Sequence, residues 1–159
     1  LAKQPTVLEE LIDAVLVKFR KHYPQQKVIL DLPETFVSIP MDAMLIEQVL
    51  MNLLENAVFH AHGMEHLWLR VYIKGNKAIF TVEDDGCGIP EDRKKFLFTG
   101  LLDSEAPADT GRSNMGIGLS VCRTIIKAHG SDIRAKNRPA GGAAFSFALE
   151  MEEEHYGEQ

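Results

Sequence analysis

The sequence predicts a two-layer α/β (α+β) sandwich, a mixed β-sheet with about three helices on one face. Three observations predict it. Apolar residues recur at helical spacing in three separate stretches. Two runs rich in aromatic and β-branched residues flank a Gly/Asn turn, and two further short apolar runs close the chain. At 159 residues the chain suits one domain with a real hydrophobic core, placed at 1–150, with an acidic tail at 151–159 expected to be frayed.

Taken in order, Leu8, Leu11, Ile12, Val15, Leu16 and Phe19 predict an amphipathic helix over about 6–22, with Pro24 beyond its end. Residues 27–32 are β-branched and short, consistent with a strand before Pro33. Asp42 is an N-cap candidate for a second helix that should stop near His62 and Gly63. Residues 67–73 and 78–83 around Gly75-Asn76 read as a hairpin. A glycine-punctuated loop follows at 84–90, then a polar stretch over 91–113 read as a short helix and a mobile segment. A third helix is expected from Gly118 to Ala128, and two closing strands at 133–136 and 143–149, joined by a turn at 139–142. The order is therefore α-β-α-β-β-α-β-β, a helical layer on one face of a mixed sheet.

Composition narrows function. With 45% hydrophobic and 25% charged residues the chain is ordinary globular material, and its formal charge of −6 argues against a nucleic-acid surface. Two cysteines, Cys87 and Cys122, imply no disulfide framework. No apolar run approaches the ~18–20 residues that span a bilayer, so no membrane contact is expected of this stretch. A start at Leu1 leads us to expect a piece of a longer protein in a reducing, cytosolic setting.

Three polar interruptions carry the chemistry. Asn52 and Asn56, four apart on the second helix, share a face bordering Ile46, Leu50, Leu53 and Ala57, so they should look inward. Asn is a poor helix-interior residue, and burying its amide without partners costs roughly 1–3 kcal/mol. Asp84 ends a strand ahead of Gly86 and Gly88, where a carboxylate can accept from a base amino group. Gly116 and Gly118 open the third helix, where backbone N–H groups and the helix dipole favour phosphate. Asn oxygens suit Mg²⁺ that also bridges phosphates. Each feature alone also fits turn chemistry or a satisfied core amide; together they describe a nucleotide-triphosphate pocket.

At this point the sequence resembles the ATP-binding catalytic domain of bacterial sensor histidine kinases, in the wider family with gyrase, heat-shock-90 and MutL ATPases. Glu47-Gln-Val-Leu-Met-Asn-Leu-Leu-Glu-Asn-Ala57 is similar to their N box, Val82-Glu-Asp-Asp-Gly-Cys-Gly-Ile-Pro90 to the G1 box, and Met115-Gly-Ile-Gly-Leu-Ser-Val121 to the G2 box. Lys127-Ala-His-Gly130 matches too, and Asn137-Arg-Pro-Ala-Gly-Gly142 resembles the ending of potassium-responsive, Kdp-type kinases. The resemblance spans roughly 6–150 and implies a Bergerat-type ATP-binding fold. It implies that Asn56, with Asn52, coordinates Mg²⁺ against the triphosphate. Asp84 would accept from the adenine amino group, with Gly86 and Gly88 keeping the pocket open, Ile89 lining it, and His60 placed to stack on adenine. Residues 103–113 would form the ATP lid, with Arg112 and Ser113 near phosphate. Met115, Gly116, Ile117, Gly118 and Leu119 would line the phosphate end, the two glycines presenting N–H groups.

The same resemblance implies ATP and Mg²⁺ as cofactors, and transfer of the γ-phosphoryl group to a histidine on a separate dimerisation domain. It further implies a response regulator as partner, a homodimeric full-length protein, and a cytoplasmic domain of a membrane-bound sensor. None of the six histidines has the acceptor context, so this stretch should not autophosphorylate alone. The chain departs from the pattern at Phe59 (usually Lys), His60 (usually Tyr), Asn114 (usually Gly) and the F box around Phe96-Leu-Phe98.

Other readings stand beside these. Glu55, rotated about 100° from Asn56, reads as a solvated outer-face carboxylate or as an acid/base touching the acceptor histidine. His60, His62 and His66 lack zinc-ligand geometry, Cys87 reads as inert, Asp85 as an exposed loop charge, and the acidic run at 152–154 as solvated tail. ATP-hydrolysing relatives and sigma-binding serine kinases normally carry Glu at position 52, where an amide cannot accept the proton of water. A degenerate docking module is the non-enzymatic alternative.

Overall fold

The computed structural model describes residues 1–99 and 118–151. A two-stranded ribbon begins the chain: β1 (Gln4–Val7) pairs antiparallel with β3 (Ser38–Met41). The sequence pattern predicts helix from about residue 6 and no strand at 38–41. The reason for the miss is visible in the register, where Pro5 faces Pro40. Proline lacks the ladder donor, so each run reads as a break, and it is tolerated here because the ribbon is all edge.

α1 (Leu8–His22) buries the six predicted residues Leu8, Leu11, Ile12, Val15, Leu16 and Phe19. It has no side-chain N-cap; instead Leu8 N–H donates to Val37 O at 3.0 Å, so its start is set by the segment leading into β3. β2 (Ile29–Asp31) runs parallel to β4 (Leu67–Lys74) at an exposed sheet edge. β4 and β5 (Lys77–Asp84) form the predicted hairpin, and β6 (Ile133–Asn137) and β7 (Ala143–Glu150) the predicted closing pair. The mixed sheet runs β2-β4-β5-β7-β6.

α2 (Ala43–His60) starts at its predicted cap, Asp42 Oδ1 accepting from Leu45 N–H at 3.4 Å. From Val49 to Glu55 every residue is buried, because α1 and α4 (Leu119–Ala128) flank it and β5 lies beneath. A short helix, α3 (Glu91–Lys94), follows the glycine loop. The core is filled by the inward-facing alternates of the sheet: Leu67, Leu69 and Val71; Ala78, Phe80 and Val82; Phe145, Phe147 and Leu149. Phe80 stacks on Phe147 at 4.9 Å between centroids.

His129 ties helix ends together. Its Nδ1–H donates to Ile125 O at 2.9 Å while Nε2 accepts from Asp42 N–H at 3.1 Å, so one neutral tautomer satisfies both and joins α4 to the cap of α2. Among the described residues no helix is long and apolar enough to cross a membrane.

Candidate functional site

The candidate site lies where the C-terminal half of α2 meets the end of β5. Strand alternation puts Asp84 on the same face as Phe80 and Val82, so the period that fills the core also drives a carboxylate under the helices. Asp84 is only 5% exposed. Its Oδ1 accepts from Gly86 N–H at 2.9 Å and from Ala143 N–H at 3.3 Å. Burial pushes its pKa above the ordinary value; the two N–H donors and nearby Arg138 pull against that rise, and the charge of Asp85 adds to it.

The following loop is threaded closely. A Cβ on Gly86 would stand 2.7 Å from the Ala61 carbonyl oxygen, and Cys87 Sγ lies 3.5 Å from the His60 carbonyl, so this loop abuts the end of α2. Gly88, at φ +82°, leaves room for the Asn137 amide, whose Oδ1 a Cβ would meet at 2.8 Å. That amide clasps Ile89 at both backbone groups, accepting from its N–H at 2.6 Å and donating to its carbonyl at 3.2 Å. Ile89 is half-buried against the core. Gly86 and Gly88 thus permit close backbone approach: the room left by their missing side chains is taken by Ala61 and Asn137.

Along α2, Asn52 is 2% exposed, and neither atom of its amide has a hydrogen-bond partner among the described residues. Such an amide costs about 1–3 kcal/mol in the ligand-free protein. Asn56, one turn on, is half-buried, and His60 is exposed at the last position of the helix. Gly118 caps α4, its carbonyl accepting from Cys122 N–H at 3.1 Å, and Leu119 opens the helix with its side chain in the core. Arg112, Ser113, Met115, Gly116 and Ile117, with Asn114, the lid at 103–113 and the acidic run at 152–154, lie outside the described residues.

Two readings need correction. Glu55 is not a solvated outer-face carboxylate: it is 2% exposed, and its Oε2 accepts from the Tyr23 hydroxyl at 2.8 Å. The helix is covered on that side by α1, which a single helical wheel does not reveal. Asp85 is not an exposed loop charge but half-buried and bonded. Its Oδ1 accepts from Glu65 and His66 N–H at 2.7 and 2.8 Å, and its Oδ2 meets His66 Nδ1 at 2.6 Å. Burial opposes its ionisation, but the hydrogen bonds from His66 and Glu65 outweigh that and hold the carboxyl at about 2. His66 also stacks on Trp68 at 5.5 Å.

The departures from the expected pattern have packing roles. Phe59 meets Tyr23 edge-on at 6.2 Å, and Tyr23 in turn contacts Phe19 at 5.0 Å, so the position expected to hold lysine is drawn into an aromatic cluster of α1 and α2. In the blurred F box, Phe98 packs edge-on against Phe145 at 6.4 Å while Phe96 is exposed.

Sequence reasoning missed Arg138 and the duty of Gly142. Arg138 Nη1 donates to Asp84 O at 2.9 Å, its Nε approaches Glu83 Oε1 at 3.3 Å, and its guanidinium lies 4.6 Å from the centre of Trp68. Gly142, at φ +89°, passes so close to Asp84 that a Cβ would collide with the Asp84 carbonyl. In the sequence, the run of residues 137–142 stands only as an ending that resembles a family pattern. No local pattern ties it to Asp84, because that link needs the β5–β7 register.

Comparison with known proteins bears on this geometry. The family model of histidine kinase-, DNA gyrase B-, and HSP90-like ATPases matches residues 41–153. The sensor protein KdpD of Clostridium acetobutylicum is 32% identical over 150 residues, covering 94% of this chain and 17% of that protein. The chain therefore spans less than a fifth of the length of that curated relative. Among solved structures, the catalytic domain of the histidine kinase ThkA aligns with a TM-score of 0.75 at 27% identity, covering 95% of this chain and 97% of that one. ThkA in complex with the response regulator protein TrrA aligns with a TM-score of 0.75 at 25% identity, over 94% of this chain and 42% of that one.

Proposed function

The chain belongs to the family of histidine kinase-, DNA gyrase B-, and HSP90-like ATPases, and on that premise we propose that its pocket binds Mg-ATP and presents the γ-phosphoryl group to a histidine on a separate dimerisation domain. The single observation that carries the reading is Asp84: a carboxylate 5% exposed at a strand end, with both N–H donors on Oδ1. A carboxylate so placed serves as an acceptor for a base amino group, and the two N–H donors favour its charged form against the opposing effect of burial.

The phosphate end fits the same reading. The buried Asn52 amide lacks partners among the described residues, and amide oxygens are suitable Mg²⁺ ligands. Asn52 and Asn56 would hold Mg²⁺, which when bound would offset charge on the phosphates. Gly118 stands at the N-cap of α4, where backbone N–H groups suit an anion, and Arg112, Ser113, Met115, Gly116 and Ile117 complete this end in the reading. His60 and Ile89 border the base. Asn52, an amide, cannot deprotonate water, which favours transfer over hydrolysis. Phosphoryl transfer rests chiefly on positioning and charge stabilisation, so the acceptor domain supplies what this stretch does not.

In the whole protein we place this domain in the cytoplasm as part of a homodimeric, membrane-bound sensor that passes phosphate to a response regulator. The alignments with KdpD and with ThkA, whose complex contains a response regulator, support that placement. One observation favours a second reading, a docking module with weak nucleotide affinity: Phe59 stands in an aromatic cluster where a phosphate-binding lysine is expected.

Calorimetric titration with Mg-ATP separates the two. Wild type should bind, and Asp84→Asn should lose about ten- to a hundredfold in affinity, the value of a hydrogen bond to a charged group. No heat at millimolar nucleotide would sink the kinase reading and promote the docking module.

A further inference from the structure

The turn between β6 and β7 holds the base-side loop by more bonds than its own closure requires. Backbone bonds close it: Arg138 N–H donates to Gly142 O at 2.8 Å and Gly141 N–H to Arg138 O at 3.0 Å. The side chains of Asn137 and Arg138 reach across to another segment. Asn137 makes two bonds to the Ile89 backbone, at 2.6 and 3.2 Å.

Arg138 approaches from the open face of the sheet, opposite the Asp84 side chain. Its Nη1 bonds Asp84 O at 2.9 Å and Gly141 O at 3.2 Å, and its Nε pairs with Glu83 Oε1 at 3.3 Å. The other oxygen of Glu83 meets Arg70 Nε at 3.3 Å, and both guanidinium groups lie against Trp68. The peptide carrying Asp84 is thereby fixed from behind, while Ala143 N–H fixes its carboxylate from the front.

We infer that Asn137 and Arg138 are positioning residues that set base selectivity, holding Asp84 and Ile89 in the arrangement that accepts a 6-amino purine. This rests on the reading of the pocket as an ATP site. The reason is geometric: a hydrogen bond from the exocyclic amino group discriminates only if its acceptor cannot follow a wrong base, and displacement of about 1 Å is enough to lose that discrimination. The planar fork of Arg138 binds two carbonyls and a carboxylate at once, which a lysine cannot reproduce.

The test titrates the 159-residue chain, with Mg²⁺, against ATP and against purine riboside triphosphate, the same nucleotide without the 6-amino group. Wild type should prefer ATP. In Arg138→Met ATP affinity should fall about tenfold while affinity for the analogue stays put, so the preference collapses. In Asn137→Ala, which also loosens Ile89 beside the ring both nucleotides share, ATP should still lose more than the analogue, so the preference narrows. Arg138→Lys should behave as Arg138→Met. Asn137→Asp, which keeps the acceptor for Ile89 N–H but loses the donor, should fall between. Equal weakening of both nucleotides, or an undiminished preference for ATP, overturns the inference. Wild type that binds neither nucleotide overturns the pocket reading itself, an outcome distinct from any change confined to the variants.

Discussion

The two ends of the candidate pocket are built in opposite ways. At the Asp84 end the protein itself holds the named groups: Asp84, Ile89 and Glu83 are bound by Gly86, Ala143, Asn137 and Arg138. At the Asn52 end a buried amide has no partner among the described residues. One end is finished before a ligand arrives, and the other keeps an unmet hydrogen-bonding capacity. Base recognition benefits from rigidity, because discrimination needs a fixed acceptor. Phosphate and cation binding supply their own strong partners, so under the proposed function the Asn52 amide would be compensated in the complex.

The contrast can be broken most forcefully at Gly142. Gly142→Ala would place a Cβ against the Asp84 carbonyl at a positive φ. We expect a loss on the order of 3 kcal/mol, or roughly 10 °C in Tm, from crowding and left-handed strain together. An unchanged melting curve would mean that the Asp84 end is looser than its bonds suggest.

Asn52→Leu sharpens the other half. Because the amide lacks partners among the described residues, an apolar replacement of similar size should leave stability unchanged or raise it by about 1 kcal/mol, while Mg-ATP affinity falls by about tenfold or more. Denaturant unfolding beside calorimetry reads both. A clear destabilisation of the ligand-free protein would show that Asn52 is already satisfied and would erase the difference between the ends.

The smallest effect belongs to Asp85. Its folded-state carboxyl, held at about 2, lies below the unfolded value. The stability this contributes is therefore present above the unfolded pKa and is lost as pH falls through the folded one. Asp85→Asn should flatten the dependence of stability on pH between about pH 4 and about pH 2, followed by thermal melts across that range. A slope as steep as wild type would remove the acid anchor from the loop beside Asp84.

Much of this was legible in the chain. α1 showed itself through Leu8, Leu11, Ile12, Val15, Leu16 and Phe19, and α2 through the Asp42 cap. The hairpin showed itself through Gly75-Asn76, because 3.6- and 2-residue periods are local signals. The β1–β3 ribbon was not legible, since paired prolines erase the strand pattern that long-range pairing overrides. The burial of Glu55 is hidden from the sequence because a helical wheel shows one apolar stripe, whereas Tyr23, the C-cap of α1, covers a second side.

For the asparagine pair and Asp84, sequence alone determined which groups the chain offers to the proposed site and which chemistry they favour, because residue type and strand or helix period are written locally. Tertiary structure decided which of those groups are satisfied. Asn137 reaches Ile89 across 48 residues and Arg138 reaches Asp84 across 54. Such bonds exist only after the sheet has chosen its register, so no window of sequence contains them.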